Sequence, residues 1–451
     1  MKDLLADAAE RGARYLEAMS SRAVKPTPDA VSHLSELDGS LPDGPTDPHA
    51  VIALLDEIGS PATVGSAGGR FFGFVVGGSL PVSVAANWLA ATWDQNAGLV
   101  ILSPIAATLE KIALRWLLEV FSLPAGCGGG FVTGATMANF TALAAARHTL
   151  LHRQGWDVEA QGLFGAPAID VVVGDEVHVS LLKALSLLGL GRERVHRVPV
   201  DGQGRMRADS LPPLSSSTLV CIQAGNVNTG AFDPAREICD AAHAAGAWVH
   251  VDGAFGLWAA AAPGRVHLTA GVAEADSWAV DAHKWLNVPH DSGVAICRQP
   301  ADIRAAMSTS AAYLIQESER EPYQYSPEMS RRARGVEIWA ALRGLGRSGV
   351  ADLVERSCRH ARRFAEGLAA AGYQVLNEVV LNQVLVSFGD PETTRRVIAG
   401  IQTDGTCWCG GTTWQGHTAM RISVSSWATT EEDVECSLEA MLRIAAEQRR
   451  S

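Results

Sequence analysis

Two short stretches decide how this chain folds: His250-Val251-Asp252-Gly253-Ala254-Phe255-Gly256, and Ala275-Asp276-Ser277-Trp278-Ala279-Val280-Asp281-Ala282-His283-Lys284-Trp285. In the first, an apolar run ends in an aspartate followed by glycine. In the second, another apolar run leads into a lysine. Both read as strands buried on two faces, whose carboxyl ends carry the polar groups. In open α/β sheets ligands bind outside the carboxyl ends of the strands, which is where Asp252 and Lys284 fall.

Outward from these stretches the same rhythm continues. FVT (131–133), IDVVVG (169–174), RVHRVPV (194–200), STLVCIQ (217–223), AWVHVD (247–252), SWAVD (277–281) and GVAICR (293–298) read as strands. Helical patterns at 135–150, 178–190 and 233–245 lie between many of them. Strands alternating with helices predict an α/β domain with a mainly parallel central sheet flanked by helices, joined by right-handed crossovers. The expected organisation is an N-terminal helical segment over 1–80, a large α/β domain over 81–345 and a smaller α+β domain over 346–451. In that last part the pattern predicts strands near 374–388 and 419–424 and a closing helix from about Thr430.

Composition narrows the function. The 451 residues carry 37 Lys+Arg against 49 Asp+Glu, a net charge of −12, which argues against a nucleic-acid binder that needs clustered cations. With 47% hydrophobic and 19% charged residues the chain is globular. The N-terminal stretch mixes acids and bases and is not a signal peptide, and no apolar run reaches the roughly 20 residues that span a bilayer. Eight scattered cysteines read as reduced thiols, and Cys407-Trp408-Cys409 as a packed strand in place of a metal site. The expectation is a soluble cytoplasmic protein with no metal, no membrane and no nucleic-acid partner.

The chemistry lies in the combination. A lysine and a buried carboxylate 32 positions apart suit pyridoxal 5′-phosphate (PLP): the amine forms a Schiff base and the acid keeps the pyridine nitrogen protonated. Singly, Asp252 reads as a helix cap and Lys284 as a surface charge. Together with His283 and an upstream anion site they favour the cofactor. That upstream site is Phe131-Val132-Thr133-Gly134-Ala135-Thr136-Met137-Ala138-Asn139, a strand turning through glycine into an alanine-rich helix whose first N–H groups can hold a phosphate. No P-loop and no dinucleotide fingerprint occurs. His178, in Gly174-Asp175-Glu176-Val177-His178, sits at another strand end and can stack on the ring.

Thr133-Gly134-Ala135-Thr136, Asp175-Glu176-x-His178, His250-Val251-Asp252-Gly253-Ala254 and Asp281-Ala282-His283-Lys284-Trp285 together resemble the group II PLP-dependent amino-acid decarboxylases, which include aromatic-L-amino-acid, glutamate, tyrosine and diaminobutyrate decarboxylases. The resemblance runs from about residue 70 to 440, taking in Ser103-Pro104 with Glu110, and Ser330-Arg331-Arg332-Ala333-Arg334 leading to Trp339. It implies a fold type I PLP-dependent transferase-like architecture and a homodimer with interfacial active sites. It implies that Lys284 carries the Schiff base, Asp252 pairs with the ring nitrogen, and Ala254 and His178 cover the two ring faces. Gly134, Ala135 and Thr136 would hold the phosphate, with Asp281 and His283 beside them. Where relatives carry Thr-Thr after a glycine, this chain has Gly225-Asn226-Val227-Asn228, and either asparagine can supply the bond to the ring hydroxyl.

The implied reaction is decarboxylation of an L-amino acid to an amine and CO₂, with Cα protonated by a tyrosine on a polar lid. Tyr323 is preferred over Tyr325 by its spacing to the arginine pair. Phe72, Phe74 and Val75 match the family's side-chain pocket and point to an aromatic or apolar substrate. Arg421 resembles the arginine that grips the substrate carboxylate in fold type I aminotransferases. An aminotransferase, a carbon–carbon lyase, a decarboxylating aldehyde synthase and a non-catalytic PLP-fold protein stay open as alternatives.

Overall fold

All seven strands expected between residues 128 and 298 are present: β1 (Gly128–Val132), β2 (Asp170–Gly174), β3 (Val195–Val198), β4 (Thr218–Gln223), β5 (Trp248–Asp252), β6 (Ser277–Asp281) and β7 (Gly293–Cys297). They form one sheet in the order β1-β7-β6-β5-β4-β2-β3. The computed structural model describes residues 1–309 and 320–450, so residues 310–319 of the expected polar lid lie outside the described residues. Contacts divide the chain into two units: Ser79–Arg359 with Asn377–Gln383, and Met1–Gly78 with His360–Leu376 and Val384–Ser451.

In the unit that holds this sheet, β3, β2, β4, β5 and β6 run parallel. Strand β7 runs antiparallel to both β6 and β1. The helices that cross between strands are α1 (Ala135–His152), α2 (Val179–Leu187) and α3 (Ala235–Ala244). Helix α1 is rich in alanine, and Ala138, Ala142 and Ala145 pack on Val132, Ala279, Ala295 and Cys297. Small side chains let the helix axis come close to the sheet, so its amino end stays near the strand ends. On α2, Leu181, Ala184 and Leu185 pack against Val171, Val173, Leu219 and Cys221. These strands are apolar along their whole length because both faces are covered.

The register places the polar strand ends together. Gln223 of β4 pairs with Asp252 of β5, and Asp252 with Ala279 of β6, so Asp281 lies one pleat farther out. Gly293 of β7 lies between Val132 and Asp281. A Cβ on Gly293 would come within 2.6 Å of the Gly134 Cα, so only glycine lets the turn after β1 approach the end of β6.

The other unit contains a four-stranded sheet in the order β10-β11-β9-β8, made of β8 (Gln374–Val375), β9 (Gln383–Ser387), β10 (Gly410–Trp414) and β11 (His417–Ser423). The strand expected over 374–388 is thus two short strands, and β10 adds one that the pattern did not announce. Helix Pro391–Asp404 starts where Asp390 accepts the N–H groups of Glu392 and Thr393 at 2.9 and 3.0 Å, and stops at Gly405 with φ 78°. Helix Glu431–Arg450 begins as expected: Thr430 Oγ1 accepts the Asp433 N–H while Asp433 Oδ2 accepts the Thr430 N–H, a reciprocal cap. Cys407 and Cys409 are buried and Trp408 forms a lone bridge to Phe71, consistent with a packed segment. Among the described residues no helix is long and apolar enough to cross a membrane, and no group of His, Cys, Asp or Glu could hold a metal ion.

Candidate active site

The turn after β1 builds one end of the site. Gly134 has φ 154°, and a Cβ there would lie 2.8 Å from His283 Cε1, so glycine is required on both counts. Helix α1 begins at Ala135, whose N–H donates to Asp281 Oδ1 at 2.5 Å. The N–H groups of Thr136 and Met137 fall in the first turn, beyond reach of any helical carbonyl. Both residues line a cavity of about 300 Å³, together with Thr133, Gly134, Ala135, His178, Ser180, Asp281, His283 and Lys284.

At the end of β6, Asp281 is held at its carbonyl by the Trp258 indole N–H at 3.0 Å. Its carboxylate pairs with Lys284 Nζ at 2.9 Å through Oδ2. His283 accepts the Ser292 N–H on Nδ1 at 3.0 Å and stacks on His290 with ring centres 4.2 Å apart. Burial lowers the pKa of both histidines, and Asp281 partly opposes that for each.

A second hollow adjoins the first, lined by His178, Gln223, Gly225, Val227, Asp252, Ala254, Phe255 and Lys284. His178 and Lys284 belong to both. His178 caps α2: its Nδ1 accepts the Ser180 N–H at 3.2 Å, which in the neutral ring puts the proton on Nε2. Asp252 is 5% exposed, and its Oδ1 accepts the Ala254 N–H at 3.2 Å. Its Oδ2 accepts Nδ2 of Asn139 at 3.2 Å.

The residues fit PLP. A helix amino terminus with Thr136 lines one end, a lone buried carboxylate with neutral donors lies at the other, and an amine borders both. Thus Gly134, Ala135, Thr136, His178, Asp252, Ala254, Asp281, His283 and Lys284 are brought together around two joined hollows. One refinement concerns Ala135, whose N–H is committed to Asp281, leaving Thr136 and Met137 as the first-turn donors.

Other expected residues lie elsewhere. Tyr323 and Tyr325 are in a buried 3₁₀ turn, Pro322–Tyr325, and neither lines the hollows. Where a polar lid is expected, residues 322–325 are a buried turn, and the reason lies in β1. Its glycines leave room along the strand: a Cβ on Gly130 would meet the Tyr325 carbonyl oxygen at 1.8 Å, and one on Gly128 would sit 3.2 Å from the Tyr325 ring. Arg320 lies 3.9 Å over that ring. Asn226 Oδ1 accepts the N–H groups of Asn228 and Thr229 at 2.8 and 3.3 Å, so its carbonyl closes its own loop, and Val227 lines the hollow.

Phe72, Phe74 and Arg421 belong to the other unit. Phe72 is fully buried with its ring edge-on to Phe364, a core role, whereas Phe74 is 63% exposed and stacks on Trp408. Arg421 lies on β11 opposite Gly410, with its pKa lowered by burial. Sequence reasoning passed over Asn139, Gln223 and Ser180. Asn139 carried the one usable signal, standing one helical turn beyond Ala135 and so on the same face of α1.

Comparison with known proteins identifies the family and the fold. Residues 33–389 match the family described as "Pyridoxal-dependent decarboxylase conserved domain". The chain is 28% identical over 324 residues to acidic amino acid decarboxylase GADL1 of Mus musculus, covering 68% of this chain and 58% of that protein. It is 24% identical over 456 residues to aromatic-L-amino-acid decarboxylase of Bacillus atrophaeus, covering 96% and 92%. The match thus spans less than two thirds of the mouse relative's length but nearly all of the bacterial one. Among solved structures, that of Oryza sativa TDC with PLP and tryptamine superposes with a TM-score of 0.91 at 22% identity, over 99% of this chain and 97% of that one, which establishes the fold. This chain belongs to the pyridoxal-dependent decarboxylase family, with pyridoxal 5′-phosphate as its cofactor.

Proposed function

We propose that the chain is a carboxy-lyase that removes CO₂ from an L-amino acid. The observation that carries this reading is the meeting of Lys284, Asp252 and the first turn of α1 around two joined hollows at one end of the sheet. Bound PLP supplies the electron sink for the pair left at Cα when CO₂ departs. Lys284 is the amine that holds it, with Asp281 orienting the side chain at 2.9 Å. Thr136 and Met137 bind the phosphate through their N–H groups, Thr136 adding its hydroxyl. Asp252 would receive the ring N–H, and His178 and Ala254 would bound the ring. His178, whose Nε2 carries the proton in the neutral ring, would be the residue of the hollows able to hold a proton near the substrate, whereas Tyr323 lines neither hollow.

An aromatic or apolar side chain on the substrate is supported by the near-complete match to the bacterial aromatic-L-amino-acid decarboxylase. We assign the chain to the cytoplasm, where its eight free cysteines would stay reduced, and to a homodimer, for which the exposed apolar side chains Val82, Trp88, Leu89, Trp93, Ile101 and Leu102 offer a surface. Light scattering on the purified holoprotein tests the dimer, a monomer mass being the contrary result.

The experiment for the reaction is a screen of the holoprotein against the amino acids for released CO₂. Turnover of an aromatic or apolar one with an amine product supports the reading; oxo-acid formation without CO₂ overturns it. A second reading, oxygen-dependent conversion to an aldehyde, is favoured by the burial of both Tyr323 and Tyr325. Aldehyde, ammonia and hydrogen peroxide in place of amine would select it.

A further inference from the structure

Behind Asp252 lies a chain of hydrogen bonds with a single direction. A carboxylate only accepts, so the Asn139 atom facing Asp252 Oδ2 is the amide nitrogen. Asn139 Oδ1 then faces His250 Nε2 at 2.8 Å and must receive its N–H. In a neutral imidazole this leaves Nδ1 as an acceptor, and it lies 2.9 Å from the Ser277 hydroxyl. Ser277 Oγ in turn accepts the Trp248 indole N–H at 3.0 Å, a group that only donates. Read from the far end, the order is Trp248, Ser277, His250, Asn139, Asp252.

Three observations set this chain apart from ordinary core packing. Asn139, His250 and Ser277 are each fully buried, and Trp248 is 2% exposed. The imidazole is held neutral, burial lowering its pKa to about 3. Asn139 stands one turn along the helix whose first residues line the phosphate end of the site, so one rigid element addresses both ends of the cofactor. Replacing both partners of a buried hydrogen bond by apolar groups of the same shape can be nearly neutral, so packing alone does not call for these polar groups. The polar chain instead terminates on the one carboxylate that lines the inner hollow.

We propose that His250 is a positioning residue which, acting through Asn139, keeps the proton shared between Asp252 and the cofactor's ring nitrogen on the nitrogen. This rests on the reading of Lys284 and Asp252 as the PLP site. A donor aimed at a carboxylate stabilises its charged form and weakens its hold on a proton. Aligned donors polarise one another, so the effect of the far members reaches Asp252. The chain adds no formal charge, and the carboxylate's charge stays available to the ring. Without it, the shared proton moves toward Asp252 and the ring becomes a poorer electron acceptor.

The test uses holoprotein reconstituted with PLP labelled with nitrogen-15 in the ring, whose chemical shift reports ring protonation directly. Wild type should show the protonated signal through neutral pH, and His250→Gln, which can offer an N–H toward Asn139, should keep it. His250→Leu and Asn139→Leu should shift it toward the unprotonated value, with the titration midpoint moved by about one pH unit, a tenfold change in proton position. Ser277→Ala, which removes only one hydroxyl, should shift it less and serves as the deciding variant if a leucine variant fails to fold. A purely structural role would lower melting temperatures and leave the shift alone. Unchanged shift and titration in the folded variants overturn the proposal; failure of wild type itself to bind labelled PLP would overturn the site reading instead.

Discussion

Asp252 and Asp281 stand at the carboxyl ends of adjacent parallel strands, both buried, yet they are partnered in opposite ways. Asp281 meets the Lys284 ammonium at 2.9 Å and the amino end of α1 through Ala135, so its charge is matched within the protein. Among the described residues Asp252 meets neutral donors, the Ala254 N–H and the Asn139 amide. Its charge is hydrogen-bonded but not neutralised. A buried charge without a counter-charge is costly unless a ligand supplies one. The comparison separates the two acids: Asp281 organises the lysine and the turn, and Asp252 is the carboxylate that, in the proposed reading, would pair with the cofactor's ring nitrogen.

The sharpest way to break this comparison is to neutralise each acid in turn. Asp252→Asn should lower CO₂ release by roughly 10²–10³-fold, the scale on which one preorganised electrostatic group acts in a site. Asp281→Asn keeps an acceptor for the Ala135 N–H and should cost only about tenfold in PLP affinity, about 1.4 kcal/mol. Steady-state assays and equilibrium dialysis measure the two, and equal losses would erase the distinction. Next comes Gly134→Ala, which places a methyl 2.8 Å from His283 Cε1 at φ 154°. A cost of about 1–3 kcal/mol in thermal stability is expected, with weaker PLP binding, because the turn must shift.

A separate effect concerns acid. His250 is neutral in the fold, with its pKa lowered to about 3, while in the unfolded chain it titrates near 6.5. Between these values the unfolded state binds the extra proton, so the contribution of His250 is full above about pH 6.5 and is lost as the pH drops toward 3, whereas Asp233, raised to about 6 by burial, acts in the opposite direction. The slope is about 1.4 kcal/mol per pH unit for His250. His283 and His290, also lowered, act in the same direction as His250. In denaturant melts from pH 7 to 4, wild type should lose stability relative to His250→Gln with a slope of one proton; an unchanged difference between the two would mean that His250 is not the group responsible.

Much of the large sheet was legible because its strands are continuous Val- and Ile-rich runs ending in chemically distinctive residues. The direction of β7 was not, since GVAIC reads the same whichever way its neighbours run. Strand β10 was missed for a different reason: GGTTW has two glycines and no apolar alternation, and it becomes a strand only because β11 pairs with it. Composition misled at Tyr323 and Tyr325, whose polar neighbours suggested exposure although the β1 glycines make a place for them. Phe72 misled in the opposite sense, a pocket candidate that proved to be core. At the site, Lys284, Asp252 and the Gly134 turn could be read locally. The role of Asn139 could not, because its partners His250 and Asp252 are more than a hundred residues away in sequence.

The most direct test of the whole account is where the cofactor is attached. Borohydride treatment of the holoprotein fixes PLP to the amine that holds it, and peptide mass mapping then reads the position among only five lysines. The account predicts a single adduct on Lys284, absent in Lys284→Ala. An adduct on Lys2, Lys25, Lys111 or Lys183, or none at all, would contradict it.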